Sequence, residues 1–234
     1  MDVMEAIPLD WQLVAQTLLY FTSVALGLVI AIPTGVTTDN FGGKCILYGS
    51  FDWYNATDFT YKFGSLSTCN FLIYLNVFAS IFYALAMGIY HTYALCRKDK
   101  TIGTQMWVMP FIFINSVVTV VIFIAACVVS VGFSQWCQHF MTGKEKKANI
   151  QSCRDGQSST WDWKTAHNSK VFAGTYYDYM TVVQTASWVA FFIWLAQFIF
   201  SVLRMLRNRW IRLRDTYYDE PPDRTAIVDE EPTA

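Results

Sequence analysis

The sequence predicts an all-α membrane protein, a bundle of four transmembrane helices with a small β-sheet in the first extracellular loop. Three observations lead there. Residues 11–33, 71–95, 106–133 and 179–203 are long apolar stretches free of Asp, Glu, Lys and Arg. A helix rises about 1.5 Å per residue, so roughly 20 apolar residues cross a hydrocarbon core of about 30 Å, and all four stretches qualify. The 234 residues are 54% hydrophobic and only 15% charged, which puts about half of the chain in lipid and leaves no length for a separate soluble catalytic domain. Finally, the connection after the first helix alternates aromatic and polar residues as short strands do.

Residues 1–10 carry Asp2, Glu5 and Asp10 without Lys or Arg. A secretory leader begins with a basic segment, so the first helix is expected to stay in the mature protein. Helix one, residues 11–33, has Ser23, Gly27 and Ala31 at four-residue spacing, a smooth stripe where another backbone can approach. Residues 34–70 form the first loop. Cys45-Ile46-Leu47-Tyr48, Phe51-Asp52-Trp53-Tyr54 and Phe59-Thr60-Tyr61-Lys62-Phe63 read as strands, with Gly42-Gly43 and Gly49-Ser50 as turns. Helix two, residues 71–95, carries a second small-residue stripe at Ala84 and Gly88. A short basic connection, residues 96–105, leads to helix three, residues 106–133. Residues 134–178 are polar and punctuated by glycine, and helix four follows at 179–203. Beyond it, Arg204, Arg207, Arg209, Arg212 and Arg214 alternate with Leu206, Trp210, Ile211 and Leu213. This pattern is expected to form an amphipathic stem that contacts anionic lipid, ahead of a tail to residue 234 expected to be disordered.

Basic residues crowd the helix ends of one side: Arg97, Lys98 and Lys100 in the short connection, and Arg204 to Arg214 after helix four. The positive-inside rule therefore places both termini in the cytoplasm. The chain has six cysteines. Cys45, Cys69, Cys137 and Cys153 fall on the opposite, oxidising side, where disulfides persist. Four cysteines allow three pairings; the expected one is Cys45 with Cys69 and Cys137 with Cys153, each closing a loop between neighbouring helices. Asn55-Ala56-Thr57 is the only N-glycosylation sequon, and it falls in the first loop on the same side. Cys96, beside Arg97 and Lys98 at the cytoplasmic interface, is a palmitoylation candidate.

Within the helices the polar side chains are Gln16, Asn76, Asn115, Gln184 and Gln197, with several Ser and Thr. No ionisable group stands near a helix centre, which argues against a pump or proton-coupled carrier. Amides in lipid are expected to bond across helices as packing contacts. His91, His139 and His167 are scattered, so no metal site and no cofactor are expected. Motifs for thiol redox chemistry, serine hydrolysis or phosphate binding are missing as well, so the protein is not expected to be an enzyme.

Lys44-Cys45-Ile46-Leu47-Tyr48, Cys69-Asn70-Phe71, Ser152-Cys153 and above all Val129-Ser130-Val131-Gly132-Phe133-Ser134-Gln135-Trp136-Cys137 resemble the transmembrane protein 179 family. The resemblance spans most of the chain. It implies claudin-like architecture, a first extracellular loop forming a sheet over a four-helix bundle, and no known substrate or reaction. The chain departs from true claudins in lacking Gly-Leu-Trp and in its wide Cys45 to Cys69 interval, and from tetraspanins in lacking Cys-Cys-Gly. The expected function is an accessory or scaffolding subunit of another membrane protein. Trp53, Tyr54, Phe59 and Tyr61 are the expected extracellular contacts, and the helix stripes serve packing. Cell-cell adhesion or barrier formation is the alternative, and a small channel or carrier a more distant one. Membrane lipids and another membrane protein are the expected partners, or further copies of the chain; nucleic acid is not. The expected location is the plasma membrane or an endomembrane.

Overall fold

The computed structural model describes residues 9–56, 59–96, 108–158 and 173–219. The expectations for the N-terminal residues 1–8, the basic connection 97–107, Thr57, the polar stretch 159–172 and the tail 220–234 lie outside the described residues. Four helices carry the fold: α1 (Leu9–Asn40), α2 (Leu66–Cys96), α3 (Val108–Met141) and α4 (Tyr176–Asp219). All four are long and apolar enough to cross a membrane. A two-stranded antiparallel hairpin, β1 (Cys45–Trp53) and β2 (Phe59–Gly64), joins α1 to α2. Helix α1 packs on α2 and α4, while α3 packs on α4 and β1.

The helices run beyond their apolar stretches. Helix α1 continues through Pro33 to Asn40, and its hydroxyls bond back to their own carbonyls, Thr34 Oγ1 to Ile30 O at 2.7 Å and Thr38 Oγ1 to Thr34 O at 2.8 Å. Such bonds satisfy polar groups where water is absent. Helix α2 is α-helical over Leu66–Leu75 and Ala84–Cys96 but π-helical between them, over Asn76–Tyr83. Asn76 Nδ2 donates to Leu72 O at 2.8 Å inside this irregular stretch. The stretch also meets α1 very closely, for a Cβ on Gly27 would stand 2.8 Å from Ser80 Cβ. Ser23 and Ala31 are buried on the same side of α1, and Gly88 of α2 faces the Phe21 ring of α1. Both small-residue stripes thus serve packing within the bundle.

Helix α3 has 34 residues. At about 1.5 Å per residue it is roughly 51 Å long, so about 20 Å extends past a 30 Å hydrocarbon core. The hairpin sits on that extension. A Cβ on Gly132 would meet the Tyr48 ring at 2.9 Å and Leu47 Cβ at 3.0 Å, so glycine there lets β1 lie directly on the helix. One turn further on, Trp136 is fully buried, with the rings of Phe51 and Phe41 at 4.4 and 6.1 Å and those of Phe63 and Tyr176 each at 6.4 Å. The run Val129 to Cys137 that carries the family resemblance is therefore the seat of the hairpin. Cys45 is joined to Cys69 and Cys137 to Cys153, with Cα separations of 5.7 and 5.2 Å, which is the expected pairing.

The hairpin register begins at Cys45 opposite Gly64 and resumes from Ser50 opposite Lys62 to Trp53 opposite Phe59, with a bulge between. Tyr48, inside the bulge, adopts φ of 62°, and the bulge bends β1 over α3. Side chains alternate across the pleat. Phe51, Trp53, Phe59, Tyr61 and Phe63 turn toward the bundle, whereas Asp52, Thr60 and Lys62 face outward, Lys62 Nζ lying 3.8 Å from Asp52 Oδ2.

Candidate functional site

Two features outside the hairpin core stand out: a polar layer inside the bundle and an aromatic ridge on its outside.

The polar layer is built from all four helices. Asn115 of α3 is fully buried. Its Nδ2 donates to Tyr20 Oη of α1 at 3.1 Å and to Ser201 Oγ of α4 at 3.0 Å, while its Oδ1 accepts from Tyr83 Oη of α2 at 2.9 Å. Gln12 Nε2 donates to Phe200 O at 2.9 Å, Gln197 Nε2 to Gln16 O at 3.4 Å, and Ser201 Oγ to Gln197 O at 2.8 Å. Beside this network lies a cavity of about 20 Å³ lined by Gln16, Tyr20, His91, Ser201 and Arg204 among others. That is room for a single water molecule. Gln16 Oε1 and Gln197 Oε1 are buried with no hydrogen-bond partner among the described residues, and Gln16 lines the cavity.

Two residues of this layer depart from the sequence reading. Arg204, expected on the lipid-facing stem, is only 5% exposed and turned into the bundle. Helix α4 continues unbroken past it, and Gln197, Ser201, Arg204 and Asn208, at spacings of four, three and four, form one buried polar stripe. His91, omitted from the intramembrane inventory, is buried as well, with Nδ1 2.8 Å from Met87 O. It continues the inward face of Ala84, Met87 and Gly88. Both placements follow from helical spacing. Of the other stem arginines, Arg207 is half-buried and Arg209 and Arg214 are exposed; the side chain of Arg212 lies outside the description. Among the described residues no group of three or more His, Cys, Asp or Glu is placed to hold a metal.

The expected extracellular contacts also divide. Trp53 rests on Phe59 and Phe140, with ring centroids at 4.6 and 6.0 Å, and lines Gly143. Tyr61 packs on Phe63 at 4.7 Å. Water favours this arrangement, because a one-sided aromatic sheet gains by covering its apolar face. Trp53, Phe59 and Tyr61 are therefore corrected to the inner face, and Tyr54, 65% exposed at the hairpin apex, is the aromatic left outside. Asn55 is exposed beside it. Cys96 is an exposed free thiol at the end of α2.

The aromatic ridge runs down α2. Tyr74, Phe78, Phe82, Ile89 and Tyr93 are each more than half exposed at spacings of four and seven. Counting Phe71 and Tyr90, six of the exposed large apolar side chains of α2 are aromatic, against two on each of the other three helices among the described residues. Apolar periodicity alone hid this ridge, since every face of a membrane helix is apolar; counting aromatics by face would have found it.

Four spans, a hairpin seated on an extended third helix and disulfides stapling the loops at that end define a claudin-like multi-pass membrane protein. The profile of the Transmembrane protein 179/179B Claudin domain family matches residues 12–226, and the chain belongs to that family. It is similar to Transmembrane protein 179B of Danio rerio, 24% identical over 213 residues that cover 91% of this chain and 93% of that one. No solved structure matches it significantly. The family is one of claudin-like transmembrane proteins and is not a known enzyme family.

Proposed function

We propose that this protein is a non-enzymatic accessory or scaffolding subunit that binds another membrane protein side by side in the same bilayer. The observation that carries the reading is the α2 ridge. Lipid tails make no demand for rings on one helix and aliphatics on the others, whereas aromatic side chains supply much of the contact energy where proteins meet. Rigidity supports it too, because the hairpin is tied to the bundle by the Cys45–Cys69 disulfide and the Trp136 cluster, and a preorganised surface loses little entropy on binding. The polar layer reads as packing, since Asn115 bonds to three helices at once. In this proposal both termini are cytoplasmic, and the disulfide-bonded end faces the lumen or the exterior.

The test is gentle-detergent purification of tagged protein from native tissue, with mass spectrometry of stoichiometric companions, for the wild type and the double variant Phe78→Ala/Phe82→Ala. One dominant membrane protein is expected. The variant should lose at least about tenfold of it, the weight of a single interface hot spot, while its melting temperature holds. Recovery of the chain with copies of itself alone would overturn the reading and favour adhesion between loops.

A further inference from the structure

The β1–β2 ladder ends with Trp53 opposite Phe59, so Asn55 lies beyond the last paired residues, exposed and outside any strand. The position is also high above the bilayer. Trp53 packs against Phe140 and Gly143, at the far end of α3. From Phe133, where the apolar stretch ends, to Phe140 is seven residues of α3, at about 1.5 Å each roughly 10 Å, more than the 5–8 Å that a headgroup layer adds to each side of the core. Both disulfides lie at this same end of the bundle, and disulfides persist where the compartment is oxidising, which is the lumenal side. Asn55, the first residue of the sequon Asn55-Ala56-Thr57, is thus carried on the side where glycans are added, beyond the last rung of the hairpin and clear of the membrane.

We infer that Asn55 is an N-glycosylation site and that its glycan covers the apex of the molecule. In the transfer, the Asn55 side-chain nitrogen attacks the anomeric carbon of an oligosaccharide carried on a polyprenyl pyrophosphate. The N–C1 bond forms, the C1–O bond to phosphate breaks, the polyprenyl pyrophosphate leaves, and the amide gives up one proton to solvent. The bulky, hydrated product stands beside Tyr54, the exposed aromatic of the apex. Contact between copies on facing membranes through this apex is then blocked, while α2 and the polar outer face of the hairpin stay open to a neighbour in the same membrane. This last consequence rests on the side-by-side reading above; the glycan itself does not.

The experiment expresses the full chain in cultured animal cells and compares untreated with peptide-N-glycosidase-treated protein on a gel. The wild type is expected to drop by one mobility step on treatment. Asn55→Gln should migrate at the deglycosylated position without treatment, and Thr57→Ala, which leaves Asn55 in place, should do the same. A wild type that does not shift, or a shift that persists in Thr57→Ala, overturns the inference. Capture of the membrane partner by Asn55→Gln is read separately and is expected to equal that of the wild type, so failure of the glycan and failure of the partner reading give different results.

Discussion

The two ends of this bundle are held together by different physics. At the hairpin end, rings from both strands, from Phe41 in the turn after α1 and from Tyr176 of α4 close around Trp136 of α3, and two disulfides staple the loops. At the other end, amides and hydroxyls form a hydrogen-bonded layer beside a water-sized cavity lined by His91 and Arg204, and leave unpartnered amide oxygens. Buried rings have one good arrangement and a large penalty for losing it. Hydrogen bonds between membrane helices are worth only about 0.6 kcal/mol on average, because the separated helices find other partners. The contrast teaches that the hairpin cap specifies and locks the fold, while the polar layer registers the helices and retains spare bonding capacity.

The largest expected effect is that of Trp136→Ala. It removes the ring on which β1, β2 and α4 converge and should destabilise by about 3–5 kcal/mol in denaturant melts of the detergent-solubilised protein; a loss below 1 kcal/mol would mean that the cap is not the lock. Replacing Cys45 and Cys69 together by Ser should cost about 3 kcal/mol, the entropy restored to a loop of this length, and the same melts of the wild type under reducing conditions, which also open Cys137–Cys153, should show a larger loss. Asn115→Ala tests the other end. It should cost about 1–2 kcal/mol despite breaking contacts to three helices, and a larger loss than that of Trp136→Ala would invert the comparison.

The smallest effect concerns Asp155, in the loop of the hairpin end. Its carboxylate accepts from the backbone N–H groups of Ser152 and Gln151, which hold its pKa below the usual carboxylate value. A depressed carboxyl pKa contributes stability that is fully present above the unfolded value of about 3.9 and is lost as pH falls through the lower, folded value. The melting-temperature difference between wild type and Asp155→Asn should therefore shrink below about pH 4 and stay constant above pH 5.

Much of the architecture was legible in the sequence. Hydropathy sums over whole spans, so local irregularities do not obscure a helix of 30 residues, and loop cysteines constrain one another strongly. What stayed hidden was orientation. The alternation of Phe59, Tyr61 and Phe63 marks a face without saying which way it looks, although Asp52, Thr60 and Lys62 on the opposite face held the answer. Arg204 looked like the first residue of a basic stem because charge density masked its place on the stripe from Gln197 to Asn208. The π-helical stretch of α2 had no compositional sign at all, since a change of winding leaves hydropathy untouched.

That stretch has a consequence for how such a helix can change over time. A π turn holds one residue more than an α turn, and each residue of an α-helix advances about 100° around the axis. Deleting a single residue between Asn76 and Tyr83 would relax the winding and leave the flanking segments in register. Inserting or deleting one elsewhere in α2 would rotate Ala84–Cys96 by that angle, carrying His91 out of the polar layer and swinging Ile89 and Tyr93 off the ridge. The π-helical stretch is thus the part of α2 that can lose a residue without turning Ala84–Cys96 against Leu66–Leu75, a reserve of winding that shields both the inner and the outer face from the smallest genetic step.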